Sequence, residues 1–224
     1  MLLRRVIQHF GRQEWTAIFI DFVIVVLGVF VGIQVSNWNE QRVEGIKADA
    51  YLVRIRGNFE SDLRSIGRRE VFWSEVIEHG KQAIRFAESG ERVDGSAWKT
   101  VLAFYQASQL WQWVSSDSTY QEMRSGGELG LVRDQVLRDA MSSYYLENGS
   151  GTAYLFAMQP EYREIVRGLT PQVVADHIWA KCWKQPSTVE QQLLDCDAPI
   201  SEAEADVVLA GYLADPRLLP ELRF

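Results

Sequence analysis

Apolar residues run almost unbroken from Thr16 to Val35, where the only strongly polar side chains are Asp21 and Gln34. At a rise of about 1.5 Å per residue, about 20 such residues cover the roughly 30 Å hydrocarbon core of a bilayer. Trp15 and Trp38 flank the stretch as interface anchors, since indole rings favour the lipid–water boundary. The pattern predicts a transmembrane helix over 16–38. A cleaved signal peptide is the rival reading. Its apolar core is usually about 7–15 residues and ends at a small-x-small site. The present run is longer, and Gln34-Val35-Ser36-Asn37-Trp38 is a poor cleavage site. In the segment 1–15, Leu2, Leu3, Val6, Ile7 and Phe10 recur at helical spacing among Arg4, Arg5, His9 and Arg12. That is the pattern of a short amphipathic helix lying on a membrane surface.

Beyond the span the pattern changes to a helical period. Leu52, Ile55, Phe59, Leu63, Ile66, Trp73, Ile77, Ile84 and Ala87 keep a three-to-four spacing, with gaps at Glu70 and Gly80. The expectation is one long helix continuing from the anchor, or two in line. Asp94-Gly95-Ser96 reads as a turn and cap, opening a helix through "AWKTVLAFYQASQLWQWV". Thr119-x-x-Glu122 reads as a capping box and Gly126-Gly127 as a stop. A further helix is expected over Asp134–Glu147, ended by Asn148-Gly149. Thr170-Pro171 opens one toward Cys182 and Ser201-x-x-Glu204 the last. No segment sustains period-two alternation. The fold class expected is all-α: a single N-terminal transmembrane helix, then an extramembrane helical bundle over 39–224.

Within the span, residues seven apart return to nearly the same helix face. Asp21, Gly28, Gly32 and Ser36 therefore share one stripe, with Val25 and Val35 beside it. Gly28-Val-Phe-Val-Gly32 is a GxxxG pattern, which lets another helix backbone approach closely. A carboxylate in the span is expensive against lipid and is usually turned to protein, water or a cation. The stripe is thus a candidate contact with another transmembrane helix, of a larger complex or of a second copy. The bland reading is that GxxxG arises by chance and that Asp21, near the edge of the span, reaches the headgroups. A proton path would need more polar groups than Asp21 and Gln34.

Charge and cysteine content add an orientation. Arg4, Arg5, Arg12 and the α-amino group precede the span, against Arg42 and Lys47 within about 15 residues after it. This modest bias places the N-terminus in the cytoplasm and the bundle in the periplasm, with the anchor in a bacterial inner membrane. Cys182 and Cys196 are the only cysteines, and an even count in an exported domain reads as a disulfide. Closing that loop is worth about 3 kcal/mol in the chain-entropy model. Two buried thiols in a cytoplasmic domain are the alternative. A zinc site would need four ligands, and His177 is the only nearby imidazole. A net charge of −7 argues against a nucleic-acid partner.

Catalytic signatures are absent from the sequence: no GxSxG, HExxH, Walker A loop, GxGxxG or CxxC. His9, His79 and His177 read as surface or satisfied core residues. Asp195 and Asp197 read as a solvated turn, and Arg64, Arg68 and Arg69 as a solvated face. The aromatics of "LWQWVSSDSTY" read as core packing, with a binding surface as the minority reading. No catalytic residue, cofactor or metal is expected.

The stretch "QEWTAIFIDFVIVVLGVFVGIQVSNWNEQR" closely resembles the N-terminal anchor of a family of uncharacterised bacterial single-pass membrane proteins. Its members read x-D-F-x-I-V-V-x-G-V-F-x-G-x-Q-V-x-N-W-N, matching Asp21 to Asn39. Ser118 to Tyr145, "STYQEMRSGGELGLVRDQVLRDAMSSYY", is similar to a second segment of that family, less specifically. The resemblance implies a membrane anchor and a helical domain, and no activity. The function expected is a non-enzymatic accessory or scaffold subunit, docked in the membrane on a larger complex, for instance a respiratory or photosynthetic one, and covering it on the periplasmic side. The alternative is a membrane-anchored sensor or ligand-binding module. Against a sensor, a cytoplasmic part of about 15 residues is too short for an output domain.

Overall fold

The computed structural model describes residues 15–149, 159–187 and 190–223, and side chains from residue 19 onward. The interfacial segment 1–15 falls outside these residues except for the helical backbone of Trp15. The architecture is all-α. One helix, α1 (Trp15–Ser89), runs without interruption for 75 residues, about 110 Å at the α-helical rise. Glu70 and Gly80 do not break it. From Phe19 it is long and apolar enough to cross a membrane. Its second half packs against the rest of the chain at three successive hydrophobic clusters.

At the end of α1 the chain reverses through Asp94 (φ 49°) and Gly95 (φ 73°), both left-handed. Glycine adopts that conformation freely and a short polar residue tolerates it. Ser96 then caps α2 (Ala97–Gln106), its side chain accepting from the Lys99 amide. Nine of the ten residues of α2 are buried, as befits the central helix of a small bundle. Its neighbours are the end of α1, α5 (Glu161–Leu169), α6 (Gln172–His177), α7 (Glu202–Ala214) and α8 (Leu218–Arg223). Ala83, Phe104, Tyr105, Val166, Ile178 and Tyr212 lie at the middle of this core. Nearer the apolar span, α3 (Ser118–Ser125) and α4 (Gln135–Asn148) pack on α1 around Tyr51, Ile55, Met123 and Met141. Between the two clusters Phe72, Val76 and Trp111 form a third.

Several expectations shift on contact with the structure. Helix α2 stops at Gln106, and the stretch to Asp117 is irregular. Polar side chains compete there with the helical ladder: Ser108 Oγ donates to Tyr105 O, and Gln106 Nε2 to Cys182 O. Thr119 is not a cap. Asp117 precedes α3, and Thr119 Oγ instead accepts from Asn58 Nδ2 at 3.1 Å. The caps at Asp134 and Ser201 are present, the latter as a full capping box with Glu204. Helix α6 passes through a π-turn, Ile178–Cys182, into a small hairpin of β1 (Trp183–Ser187) and β2 (Glu190–Leu193). The strands are antiparallel, with Trp183 opposite Leu193 and Ser187 opposite Glu190. Apolar alternation could not announce them, because the hairpin is mostly exposed and its base is tied covalently.

The packed stripe of α1 also differs from the sequence reading. Ile55, Asp62, Val76 and Ala83 carry it at multiples of seven residues and are buried, while Leu63, Ile66 and Ile77 are exposed. Asp62 is a carboxylate in a core position, where the eye expects an apolar residue. It stays there because both oxygens accept from the Ser116 amide, at 3.0 and 3.2 Å, and one also accepts from Tyr144 Oη at 2.8 Å. A buried charge is tolerated when it is hydrogen-bonded in this way.

Candidate functional site: an uncovered stripe on the long helix

The stripe of Asp21, Gly28, Gly32 and Ser36 lies on α1 with none of the described residues packed against it; Asp21 and Ser36 are exposed. A methyl group placed on Gly28 or Gly32 would meet no atom within 4 Å. The large apolar residues around the same turns, from Phe19 to Val35, are exposed on every side. Trp38 is exposed at the far end of the span. The site residues therefore share a face, as their spacing requires, and no described residue packs on that face.

Cys182 and Cys196 are joined in a disulfide with Cα atoms 5.2 Å apart. The bond staples the hairpin base to the bundle: the Leu194 amide donates to Cys182 O at 2.8 Å, and Trp98 Nε1 donates to Cys196 O at 3.0 Å. The ligand atoms of His177, Cys182 and Cys196 lie within 4.8 Å of one another. Metal coordination by cysteine requires a thiolate, and both sulfurs here are spent in the disulfide. His177 Nε2 is 2.7 Å from Asp197 O, and its ring meets Trp98 edge to face. His177 thus has a structural task in this corner.

Two further features escaped sequence reasoning. The first is an apolar groove of about 400 Å³ between α1 and α4, lined by Phe59, Leu63, Ile66, Leu137, Ala140 and Tyr144. Burial, then Asp62, push the Tyr144 phenol well above its ordinary value, so that phenol keeps its proton. The spacing of Leu137, Ala140, Met141 and Tyr144 on one helix face was the available signal. The second is a rim of ion pairs beside the exit from the span. Lys47 pairs with Glu128, and Arg54 Nη2 donates to Glu122 at 2.6 Å. Tyr51 Oη donates to Glu128 at 2.6 Å, and that bond, with burial, raises its phenol to about 12.

Arg69, read from sequence as part of a solvated face, is half-buried instead. Its guanidinium lies 4.4 Å over the Trp111 ring and donates to Gln112 O. His79, read as a surface or satisfied residue, is partly buried beside Glu75 and Leu193 at the hairpin, and burial lowers its ordinary value. Compared with known proteins, the chain matches no family model, no curated relative and no solved structure.

Proposed function

We propose that the protein is a non-enzymatic accessory or scaffold subunit of a bacterial inner membrane. It docks through the Asp21, Gly28, Gly32 and Ser36 stripe on other transmembrane helices and holds its bundle over them on the periplasmic side. The observation that carries this reading is the continuity of α1. One helix bears both the bare stripe and the bundle, so docking of the stripe sets where the bundle sits. The resemblance of the anchor to single-pass bacterial membrane proteins supports the same reading, and the disulfide favours an oxidising compartment. Gly28→Leu and Gly32→Leu add an isobutyl group to the stripe while still favouring insertion. After purification in mild detergent, these variants should lose the membrane helices that co-elute with the wild type. Phe30→Leu, on the opposite face of the helix, should retain them. Equal retention by all three would sink the reading.

A second reading, a ligand-binding module, draws on the apolar groove beside Asp62. Ala140→Trp would fill that groove. Binding of an apolar fluorescent probe that is unchanged in this variant would exclude it.

A further inference from the structure

The bare stripe does not end at the membrane. Continued along α1, it passes through Val25, Val29, Gly32, Ser36, Asn39, Val43, Ile46, Ala50, Val53 and Gly57, in steps of four and three. All of these are exposed. Nearly five heptads with mostly apolar or small residues at both repeat positions are the pattern of a left-handed coiled-coil seam. Two properties separate it from ordinary exposed apolar residues. It holds its register across the boundary between lipid and water. On the aqueous part it faces about a third of a turn away from the side that packs on the bundle, where Tyr51 and Ile55 are buried. Val43, Ile46 and Val53 are each more than half exposed, although they stand beyond the apolar span.

We infer that the occupant of this seam is a second copy of the same chain, parallel and in register. This rests on the docking reading above and names its partner. Three observations favour a copy over an unrelated helix. A partner must carry a matching repeat that crosses the membrane surface at the same height, and two-fold symmetry supplies that without further requirement. Asn39 is the lone amide in the seam and has no side-chain partner among the described residues. In a parallel pair it meets its own counterpart, whose amide offers both donor and acceptor, a device that fixes register in coiled coils.

The third observation is charge. Lys47 and Arg54 flank the seam, and the partner's Arg42 and Asp49 come opposite them. Lys47 is already neutralised by Glu128 and Arg54 by Glu122, so the bundle rim relieves the repulsion that Arg42 and Lys47 would otherwise exert. The seam ends where Glu60 and Arg64 replace apolar residues. A strip about 50 Å long and about 10 Å wide on each helix buries about 1,000 Å² in all, where specific interfaces begin.

The test uses the full chain in its membrane. The described cysteines are both in the disulfide, so a single new cysteine is the reactive thiol. Because a disulfide needs Cα atoms within about 7 Å, Ile46→Cys and Val53→Cys should each give about tenfold more oxidised dimer than Gln41→Cys, which is exposed on the face opposite the seam, within two turns of Ile46. Dimer at the seam positions no greater than at Gln41→Cys overturns self-pairing. If the seam thiols fail to cross-link while Gly32→Leu still releases a non-identical membrane protein, the docking reading stands and only the identity of the partner falls. If neither happens, both fall.

Discussion

Asp62 shows how a single side chain can hold two elements to a third. It sits on α1, its oxygens accept from Ser116 before α3, and Tyr144 on α4 donates to it. Asp62→Ala would leave a buried amide and a phenol without their acceptor, at about 2–3 kcal/mol. In detergent the thermal midpoint should fall by about 5–10 °C, and Asp62→Asn, which keeps one acceptor, by less. Glu202 works by a different route. From α7 it accepts from Ser96 Oγ at 2.6 Å and from the Ala97 amide, so one carboxylate caps the start of α2. The Ser96 hydroxyl first, and then the Ala97 amide, hold its carboxyl below the ordinary value. A depressed folded value means the contribution is present above the unfolded value of about 4.3 and is lost as pH falls through the folded one. Glu202→Gln should therefore be less stable than wild type by about 1 kcal/mol at pH 7. That gap should close on acidification below about pH 4; a gap independent of pH would remove the charge from the account.

The hairpin is the element most dependent on covalent chemistry. Two short, mostly exposed strands are marginal in water, and this pair is closed by the Cys182–Cys196 bond. The double variant Cys182→Ser, Cys196→Ser should lose about 2–4 kcal/mol. A reducing agent should lower the wild type to the same level and leave the variant unmoved. Thiol labelling of denatured, unreduced protein should find no free cysteine, and two labelled thiols would overturn both the bridge and its support for the periplasmic placement. Helix α1 is stabilised differently. Most helical stability comes from packing, not propensity, and α1 packs against three successive clusters from Tyr51 to Ala83. Between the span and Tyr51 the described residues give little such support, and there the seam residues Val43 and Ile46 are exposed.

Orientation belongs to the assembled protein in its membrane. With the N-terminus in the cytoplasm, a reporter active only in the periplasm, fused after Phe224, should be active. Activity confined to a cytoplasmic reporter at that position would reverse the topology and turn the bundle inward. In either orientation the continuity of α1 means that docking through the proposed stripe would set the position of the bundle. Loss of the stripe in Gly28→Leu or Gly32→Leu should therefore change what the bundle contacts without unfolding it. The check is unchanged thermal melting alongside altered co-elution.

Features governed by local interactions were legible along the chain. The apolar run, the caps at Ser96 and Ser201 and the turn at Asp94-Gly95 depend on residues a few positions apart, so their signals survive without a fold. Exposure of the stripe, the choice of buried face on α1, the hairpin and the groove depend on partners remote in sequence. Asp62 could be recognised as a core residue only once Ser116 and Tyr144 were known to meet it, 54 and 82 positions away. Leu63 and Ile66 looked like core for the same reason: hydrophobic period reports that a face will be buried, while the hydrogen-bond partners of a polar neighbour decide which face it is. The sequence alone therefore determined the apolar run, the caps of the shorter helices and the cysteine pair, and left open whether the run continued as one helix or two. Only the tertiary structure decided which side of that helix the bundle took and which it left bare.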